Sequence, residues 1–313
     1  MPSSFELLKK QLDDTVGLIE STCVAEQTAL NLPAAVDERA DTQSLIARCE
    51  SVCDKYQPKR PTIRIIHHLA CSGGTLISKC ISAMPNVYLL SEVHPTQFAK
   101  NEIENICFSP TNIPLQSFYA GVPDIEKLCE KLFLSNVKLV HEHCEKIGAD
   151  LVLRDHSHSD FTSDNAIYRT SKIIDVLSQE FDIISLVTLR DPAESFSSLQ
   201  RNAWVRFEPA SFEEYCKRVF AFLSYFNTSQ IFTYESFVEN PSVRMATMCE
   251  ALDIKFNDCF EYIFDCAKVT GDSGRGGSII ERRPVNLTKE VELTKASSAS
   301  YKKILEQYYK INL

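Results

Sequence analysis

The sequence lacks several features that would place the chain in a special class of protein. Its apolar runs all fall well short of the roughly 20 residues that a membrane helix needs. No basic segment followed by an apolar core stands at the N-terminus, so no secretory signal is expected. The 12 cysteines include no C-x-x-C pair, and most lie in apolar stripes. We therefore expect a soluble, cytoplasmic protein with reduced core cysteines and no membrane insertion.

Positive charge is also in short supply. The formal net charge is −9, which argues against nucleic acid as the main partner. With 44% hydrophobic and 24% charged residues over 313 positions, the composition is that of an ordinary globular protein with a sizeable core. Any site for an anionic ligand must therefore be a local one, and we expect a small molecule as the partner.

The most informative stretch covers residues 62–79, TIRIIHHLACSGGTLISK. Its apolar beginning predicts a buried strand, and its end begins a helical stripe. Between them lie five small residues, Cys71, Ser72, Gly73, Gly74 and Thr75. Free backbone N–H groups at such a turn, backed by a helix dipole, bind anions and most often phosphate. The Lys of the NTPase P-loop is missing, and an ordinary tight turn between strand and helix fits the same pattern.

Strands alternate with helical patterns from residue 61 to the end of the chain. Short apolar runs predict further strands at residues 87–91, 151–153, 183–189 and 230–234. This alternation predicts a three-layer α/β domain with a mainly parallel sheet over residues 61–313. Residues 1–60 show apolar positions at helical spacing only, and we expect a helical N-terminal segment there.

A second informative stretch, residues 183–198, runs from a strand into a helix. The apolar run ends at Arg190, and Asp191, Pro192 and Glu194 follow as N-cap, first helical residue and capping-box partner. Arg190 therefore stands at the carboxyl end of a central strand, where open α/β sheets bind their ligands. The structural alternative for Arg190 is a salt bridge to Asp191 or Glu194.

Taken in order, these stretches resemble the P-loop sulfotransferases. SGGT at residues 72–75 resembles the family's loop for the 5′-phosphosulfate of 3′-phosphoadenosine 5′-phosphosulfate (PAPS), and LRDPAESFSSL resembles its 3′-phosphate motif, with Arg190 and Ser198 in place. The loop TGDSGRGG resembles the one that closes over the nucleotide, with Arg275 as a second cation. The resemblance covers residues 60–285. It implies a P-loop fold, PAPS as co-substrate without a metal, and sulfuryl transfer to a hydroxyl or amine of an acceptor.

The resemblance also offers two candidates for the base that deprotonates the acceptor. His156 follows a strand much as the His of Lys-x-His does in cytosolic members, whereas Glu92 resembles the Glu of the tyrosylprotein branch. We favour His156, whose unperturbed pKa is near neutrality, with Asp155 orienting it. Many members carry Lys or Arg just before the loop Ser. Here that position is Cys71, so we expect Arg154 to supply the catalytic cation.

Other functions remain open at this point. One is a P-loop kinase or nucleotide-binding protein without sulfuryl transfer, which the missing loop Lys disfavours. A cysteine phosphatase would use Cys71, but no Arg follows within the next helical turn. Zinc could bind His67 and His68, residues 141–144, or His156 and His158, although paired histidines are commonly not ligands. A non-enzymatic scaffold is the fourth. The sequence identifies neither the acceptor nor the oligomeric state.

Overall fold

The computed structural model describes residues 9–17, 60–98, 108–163, 170–271, 279–282 and 286–309. The chain divides into two compact units, Met1–Lys59 and Arg60–Leu313. In the first unit, residues 9–17 form helix α1. The rest of the predicted N-terminal helical segment lies outside the described residues. Among the helices of the described ranges, none has the length and apolarity that a bilayer crossing requires.

The second unit is built on a five-stranded sheet whose strands are all parallel. Its strand order is β2-β3-β1-β4-β5. The strands are β1 (Thr62–His68), β2 (Val87–Val93), β3 (Asp150–Asp155), β4 (Asp182–Leu189) and β5 (Ile231–Thr233). Each of the five predicted strands is present, and the predicted parallel sheet is confirmed. Because every strand runs the same way, the five carboxyl ends meet at one edge of the sheet.

Helices connect the strands and cover both faces of the sheet. They are α2 (Gly74–Ser82), α3 (Ile113–Tyr119), α4 (Ile125–Lys146), α5 (His158–Phe161), α6 (Lys172–Leu177), α7 (Pro192–Arg201), α8 (Phe212–Ser224), α9 (Tyr234–Glu239), α10 (Pro241–Ala251), α11 (Phe260–Ile263), α12 (Lys289–Thr294) and α13 (Ala299–Ile304). Successive residues of β1 point to opposite faces. Ile63 and Ile65 pack with α4 and α6, whereas Ile66 packs with α2 and α10. The three-layer α/β prediction is therefore confirmed.

The start of α7 bears out one part of the predicted cap and contradicts the other. Asp191 is the N-cap, and its side chain accepts a hydrogen bond from the Ala193 N–H at 2.8 Å. The capping box is wrong, because the Asp191 N–H donates instead to Glu235 at 2.9 Å. Glu194 is thereby left to pair with Arg190, at the carboxyl edge of the sheet.

The sequence pattern of residues 289–309 predicts one closing helix, but the structure interrupts it. Helix α12 ends at Thr294, and α13 begins after Ser298, whose hydroxyl accepts a hydrogen bond from the Tyr301 N–H at 3.1 Å. Ser298 is a good N-cap residue, so it starts a new helix where continuous periodicity predicted none.

Candidate functional site

The turn between β1 and α2 is shaped by two close approaches of aromatic rings. Gly73 is the N-cap of α2 with φ 83°, and a Cβ there would lie 2.2 Å from the ring of Tyr234. A Cβ on Gly74 would lie 2.2 Å from the ring of His68. Only glycine leaves room for both rings, so the two glycines serve packing as well as backbone conformation.

Three backbone donors at this turn have no acceptor in the part of the chain that the structure describes. The N–H and hydroxyl of Ser72 both donate to the Leu69 carbonyl, at 3.3 and 2.7 Å. The N–H groups of Gly73, Gly74 and Thr75 find no acceptor among the described residues. They lie at the positive end of the nine-residue helix α2. This arrangement has the geometry expected of the anion-binding nest that the sequence predicts.

Arg154, at the end of β3, extends its guanidinium to this turn. It is 2% exposed, and its Nη2 lies 2.9 Å from the Thr75 hydroxyl oxygen and 2.8 Å from Nε2 of His68. Since Thr75 Oγ1 accepts from the guanidinium, its own hydrogen remains available to a ligand in the loop. Burial, together with the charge of Arg154, lowers the pKa of His68, which keeps that ring neutral as an acceptor. A fixed cation therefore stands beside the loop where Cys71 provides none.

Glu92 pairs with this arginine from the neighbouring strand β2. Its Oε1 lies 2.7 Å from Nη2 of Arg154, while its Oε2 lies 3.7 Å from Nε2 of His156. Burial alone would raise the pKa of Glu92, but the contacts with His68 and Arg154 outweigh it and lower the pKa to about 2. Glu92 is therefore an ionised carboxylate placed between the cation and the predicted base.

His156 lies at the edge of this cluster and is the more accessible of the two candidate bases. Its side chain is 25% exposed, against 14% for Glu92, and its Nδ1 is hydrogen-bonded to the Ser159 hydroxyl. The ring of His158 lies 3.6 Å from that of His156, centroid to centroid. Burial lowers the pKa of His156, and burial with the neighbouring imidazole lowers the pKa of His158 to about 3. Both rings are neutral near neutral pH.

The expected role of Asp155 is wrong. Its carboxylate is fully buried and accepts hydrogen bonds from Nδ1 of His67 at 2.9 Å and from the Ser157 hydroxyl at 2.6 Å. Successive side chains of a strand point to opposite faces of the sheet, so Asp155 meets His67 of β1 on one face while Arg154 meets His68 of β1 on the other. Asp155 orients His67 within the sheet and not His156.

The predicted 3′-phosphate site lies at the end of β4, the other neighbour of β1. Arg190 pairs with Glu194 at 2.8 Å, so the salt bridge that the sequence offered as an alternative is present. Its Nη1 also donates to the Cys71 carbonyl at 3.4 Å. Ser198 lies one turn beyond Glu194 on the same face of α7, and its hydroxyl accepts from Arg201 at 3.1 Å. Arg190 and Ser198 thus lie on either side of the Glu194 carboxylate.

Some residues of the site carried no signal in the sequence. Tyr234 opens α9 after the short strand β5, and its ring contacts Gly73 on one side and lies 4.9 Å from the guanidinium carbon of Arg190 on the other. This cation–π contact joins the loop to the predicted 3′-phosphate site. Arg201 was missed as well, and the sequence suggested His68 only as a metal ligand. The only sequence feature that hinted at Tyr234 is the segment FTYESF, in which a strand ends in an aromatic residue.

Other predicted residues fall outside this cluster. Arg275 lies outside the described residues. The proposed zinc ligands of residues 141–144 do not converge, because His141 Nε2 bonds the Thr62 carbonyl at 2.9 Å and His143 is exposed. Cys71, with φ 64°, contributes its carbonyl to Arg190 and its sulfur weakly to Asn202.

Comparison with known proteins finds structural likeness only. No protein-family profile matches the sequence, and no curated protein does either. Among solved structures, the sulfotransferase domain from the curacin biosynthetic pathway is 15% identical with a TM-score of 0.47, covering 76% of this chain and 97% of that one. The sulfotransferase domain of the Synechococcus PCC 7002 olefin synthase is 14% identical with a TM-score of 0.43, and the match covers 77% of this chain and 97% of that one. A mouse sulfotransferase complexed with PAP is 10% identical with a TM-score of 0.42, and the match covers 84% of this chain and 90% of that one.

Proposed function

We propose that this protein transfers a sulfuryl group from PAPS to a hydroxyl or amine of a small-molecule acceptor. The observation that carries the proposal is the order of three strands. Strands β3, β1 and β4 are adjacent and parallel, so Arg154, the Cys71–Thr75 loop and Arg190 line up along one edge. The same edge therefore offers two anion sites, joined by the ring of Tyr234. A donor with phosphates at both ends of an adenosine needs such a pair.

The loop would hold the 5′-phosphosulfate. Three N–H groups that have no acceptor among the described residues supply fixed donors together with the helix dipole, and Thr75 supplies a hydroxyl that Arg154 polarises. Charge grows on the bridging oxygen as the sulfur–oxygen bond breaks. Donors that are already fixed stabilise that charge without reorganising. Arg154 takes the part that a Lys or Arg beside the loop Ser plays in other members of the family.

The second site would hold the 3′-phosphate between Arg190 and Ser198. A phosphate, like a carboxylate, is an anion that can accept two parallel hydrogen bonds from a guanidinium, so it can take over the pairing that Glu194 now makes with Arg190. Arg201, hydrogen-bonded to Ser198, adds a second guanidinium next to this hydroxyl.

His156 is the base in this proposal. Its ring is partly exposed at the carboxyl edge, and its Nε2 faces the region beside Glu92. A neutral imidazole there can accept the acceptor's proton as the nucleophile attacks sulfur. Glu92 stabilises the imidazolium that forms, because its Oε2 lies 3.7 Å from that nitrogen.

The test is calorimetric titration of the full chain with adenosine 3′,5′-bisphosphate, with ATP as the comparison and EDTA present. Arg190→Ala removes a charged hydrogen-bond donor worth about 1.5–3 kcal/mol, so affinity falls about 10- to 150-fold. Ser198→Ala removes a neutral partner worth about 0.5–1.5 kcal/mol, and affinity falls about 2- to 10-fold.

Arg60→Ala is the matched control. Arg60 precedes β1 and therefore stands at the opposite edge of the sheet, where it bonds the Phe181 carbonyl at 3.1 Å. This variant keeps the affinity of the wild type. If the bisphosphate fails to bind while ATP binds with Mg²⁺, the proposal is wrong and the kinase or nucleotide-binding alternative takes its place.

A further inference from the structure

We propose that Glu92, His156 and His158 form a binding site for a divalent transition-metal ion of the zinc type. Within the described ranges, this is the one group of three His, Cys, Asp or Glu side chains whose ligand atoms all lie within 4.8 Å of one another. Two imidazole nitrogens and one carboxylate oxygen are a ligand set suited to Zn²⁺, Co²⁺ or Fe²⁺. The inference concerns binding and does not depend on sulfuryl transfer.

The spacing of the ligand atoms fits an ion. Nε2 of His156 and Oε2 of Glu92 are 3.7 Å apart, too far for a hydrogen bond. Two ligands at about 2.05 Å from a tetrahedral zinc are about 3.4 Å apart. A shift of a few tenths of an ångström therefore closes the pair around a metal. With three protein ligands, one position remains for water.

Two of the three side chains carry a buried polar atom that is not used elsewhere in the described ranges. Oε2 of Glu92 and Nδ1 of His158 are both buried without a hydrogen-bond partner in the described part of the chain. An ionised carboxylate oxygen can only accept, and two neutral imidazoles stand beside it. A bound cation would compensate the carboxylate oxygen, which otherwise stays buried without a partner, and would take one nitrogen of each ring as a ligand.

The neighbouring histidines are excluded as ligands by their own hydrogen bonds. Nδ1 of His94 accepts from two backbone N–H groups, and its Nε2 bonds Asp160 at 3.0 Å. His68 presents Nε2 to Glu92, 3.5 Å from Oε1, and that nitrogen already accepts from the Arg154 guanidinium. Its Nδ1 has no partner in the described ranges, but His68 is not part of the group of three whose ligand atoms converge. The set of three is therefore defined by the contacts of the surrounding residues and not by proximity alone.

Among the surroundings of the cluster, Ser159 favours metal binding, whereas the charge of Arg154 opposes it. Ser159 bonds Nδ1 of His156, the kind of contact that fixes the ring of a metal ligand with its other nitrogen free. Arg154, on the far oxygen of Glu92, repels a divalent ion. We therefore expect weaker binding than at a four-ligand structural zinc site. If the proposed function holds, a bound ion also takes the nitrogen that His156 needs as base.

The experiment is a titration of the full-length, EDTA-stripped and desalted protein with CoCl₂, followed by its visible d–d absorption, and then competition with ZnCl₂. One equivalent of Co²⁺ is expected to bind with no near-ultraviolet thiolate charge-transfer band, because no cysteine is among the ligands. His156→Gln and His158→Gln each remove a ligand, so affinity falls by at least about 100-fold. Ser159→Ala weakens it about 10- to 100-fold.

His143→Ala is the matched control, since it removes an exposed histidine of α4 outside the cluster, and binding stays as in the wild type. Circular dichroism checks the fold of each variant. If the buried His158 variant unfolds, the more exposed His156 variant still decides the matter. Wild-type Co²⁺ affinity in His156→Gln, absence of binding to the wild type, or a thiolate band would each overturn the site. None of these results bears on bisphosphate binding, so the two proposals fail separately.

Discussion

The ion pair between Arg154 and Glu92 should be one of the strongest single interactions at the carboxyl edge of the sheet. The side chains are 3% and 14% exposed, and the closest N···O distance is 2.7 Å. For charge centres about 4 Å apart at an effective dielectric constant of about 20, the Coulomb energy is about 4 kcal/mol. Removing one partner of such a buried pair costs about 3–5 kcal/mol, because the other charge stays buried without compensation.

A double-mutant cycle measures this pair. We expect Arg154→Met and Glu92→Gln each to lower the free energy of unfolding by about 3–5 kcal/mol. The double variant should lose less than the sum, with a coupling energy of about 2–3 kcal/mol. Urea denaturation followed by circular dichroism at neutral pH, with EDTA to keep metal away, gives the four free energies.

The surface pair Lys138–Glu180 provides the matched control. Its N···O distance is 3.1 Å, but both side chains are 47% exposed. Solvent screening limits such a pair to about 0–1 kcal/mol. If the Arg154–Glu92 cycle yields a coupling energy no larger than that of Lys138–Glu180, then solvent screens the Arg154–Glu92 pair as well. The account of Arg154 as a cation held in a low-dielectric site would then be wrong.

Two further predictions concern the two ends of β1. Gly74→Ala places a Cβ 2.2 Å from the ring of His68, which Arg154 holds in place. We therefore expect a loss of about 1–3 kcal/mol in the free energy of unfolding and weaker bisphosphate binding. Gly17→Ala in α1, with open space around it, is the control and should lose neither stability nor bisphosphate affinity. Arg64→Met removes bonds to the Leu252 carbonyl and Asp150, at 2.7 and 3.0 Å, at the opposite edge. We expect a loss of about 2–3 kcal/mol in the free energy of unfolding with unchanged bisphosphate affinity, and weakened binding would contradict the assignment of the site to the carboxyl edge.

The sequence predicted the sheet well because the strands are covered on both faces. Such strands read as near-continuous apolar runs, as in residues 183–189, which stand out from amphipathic helices. It also located the two ends of the candidate donor site, because an anion nest and a strand-terminal arginine are local patterns. The helix caps were predicted less completely. Glu235, more than 40 positions away, takes the N–H that the capping box would have used.

The sequence could not predict how distant side chains share partners. Arg154 and Thr75 meet only because β3 lies next to β1, a strand order that local patterns do not reveal. Asp155 was expected to orient its neighbour His156, but strand alternation sends it to His67 instead. The contact of Tyr234 with Gly73 likewise depends on where β5 joins the sheet.

A local irregularity in β2 explains how Glu92 reaches both the cation and the predicted base. In a regular strand, Ser91 and Glu92 would point to opposite faces. Here both contact Arg154, at 3.0 and 2.7 Å, because the pairing of β2 with β3 shifts between Leu90 and Val93 and Glu92 takes φ 56°.

This left-handed conformation costs a non-glycine residue about 1–3 kcal/mol, so the surrounding contacts must hold it. The coupling energy of about 2–3 kcal/mol that we expect for the ion pair with Arg154 is large enough to offset this cost. Gly271 leaves the space, since a Cβ there would lie 2.6 Å from Cγ of Glu92. The bulge and the buried pair therefore sustain each other. A strand without the bulge would take Glu92 away from Arg154 and leave His156 without its carboxylate neighbour.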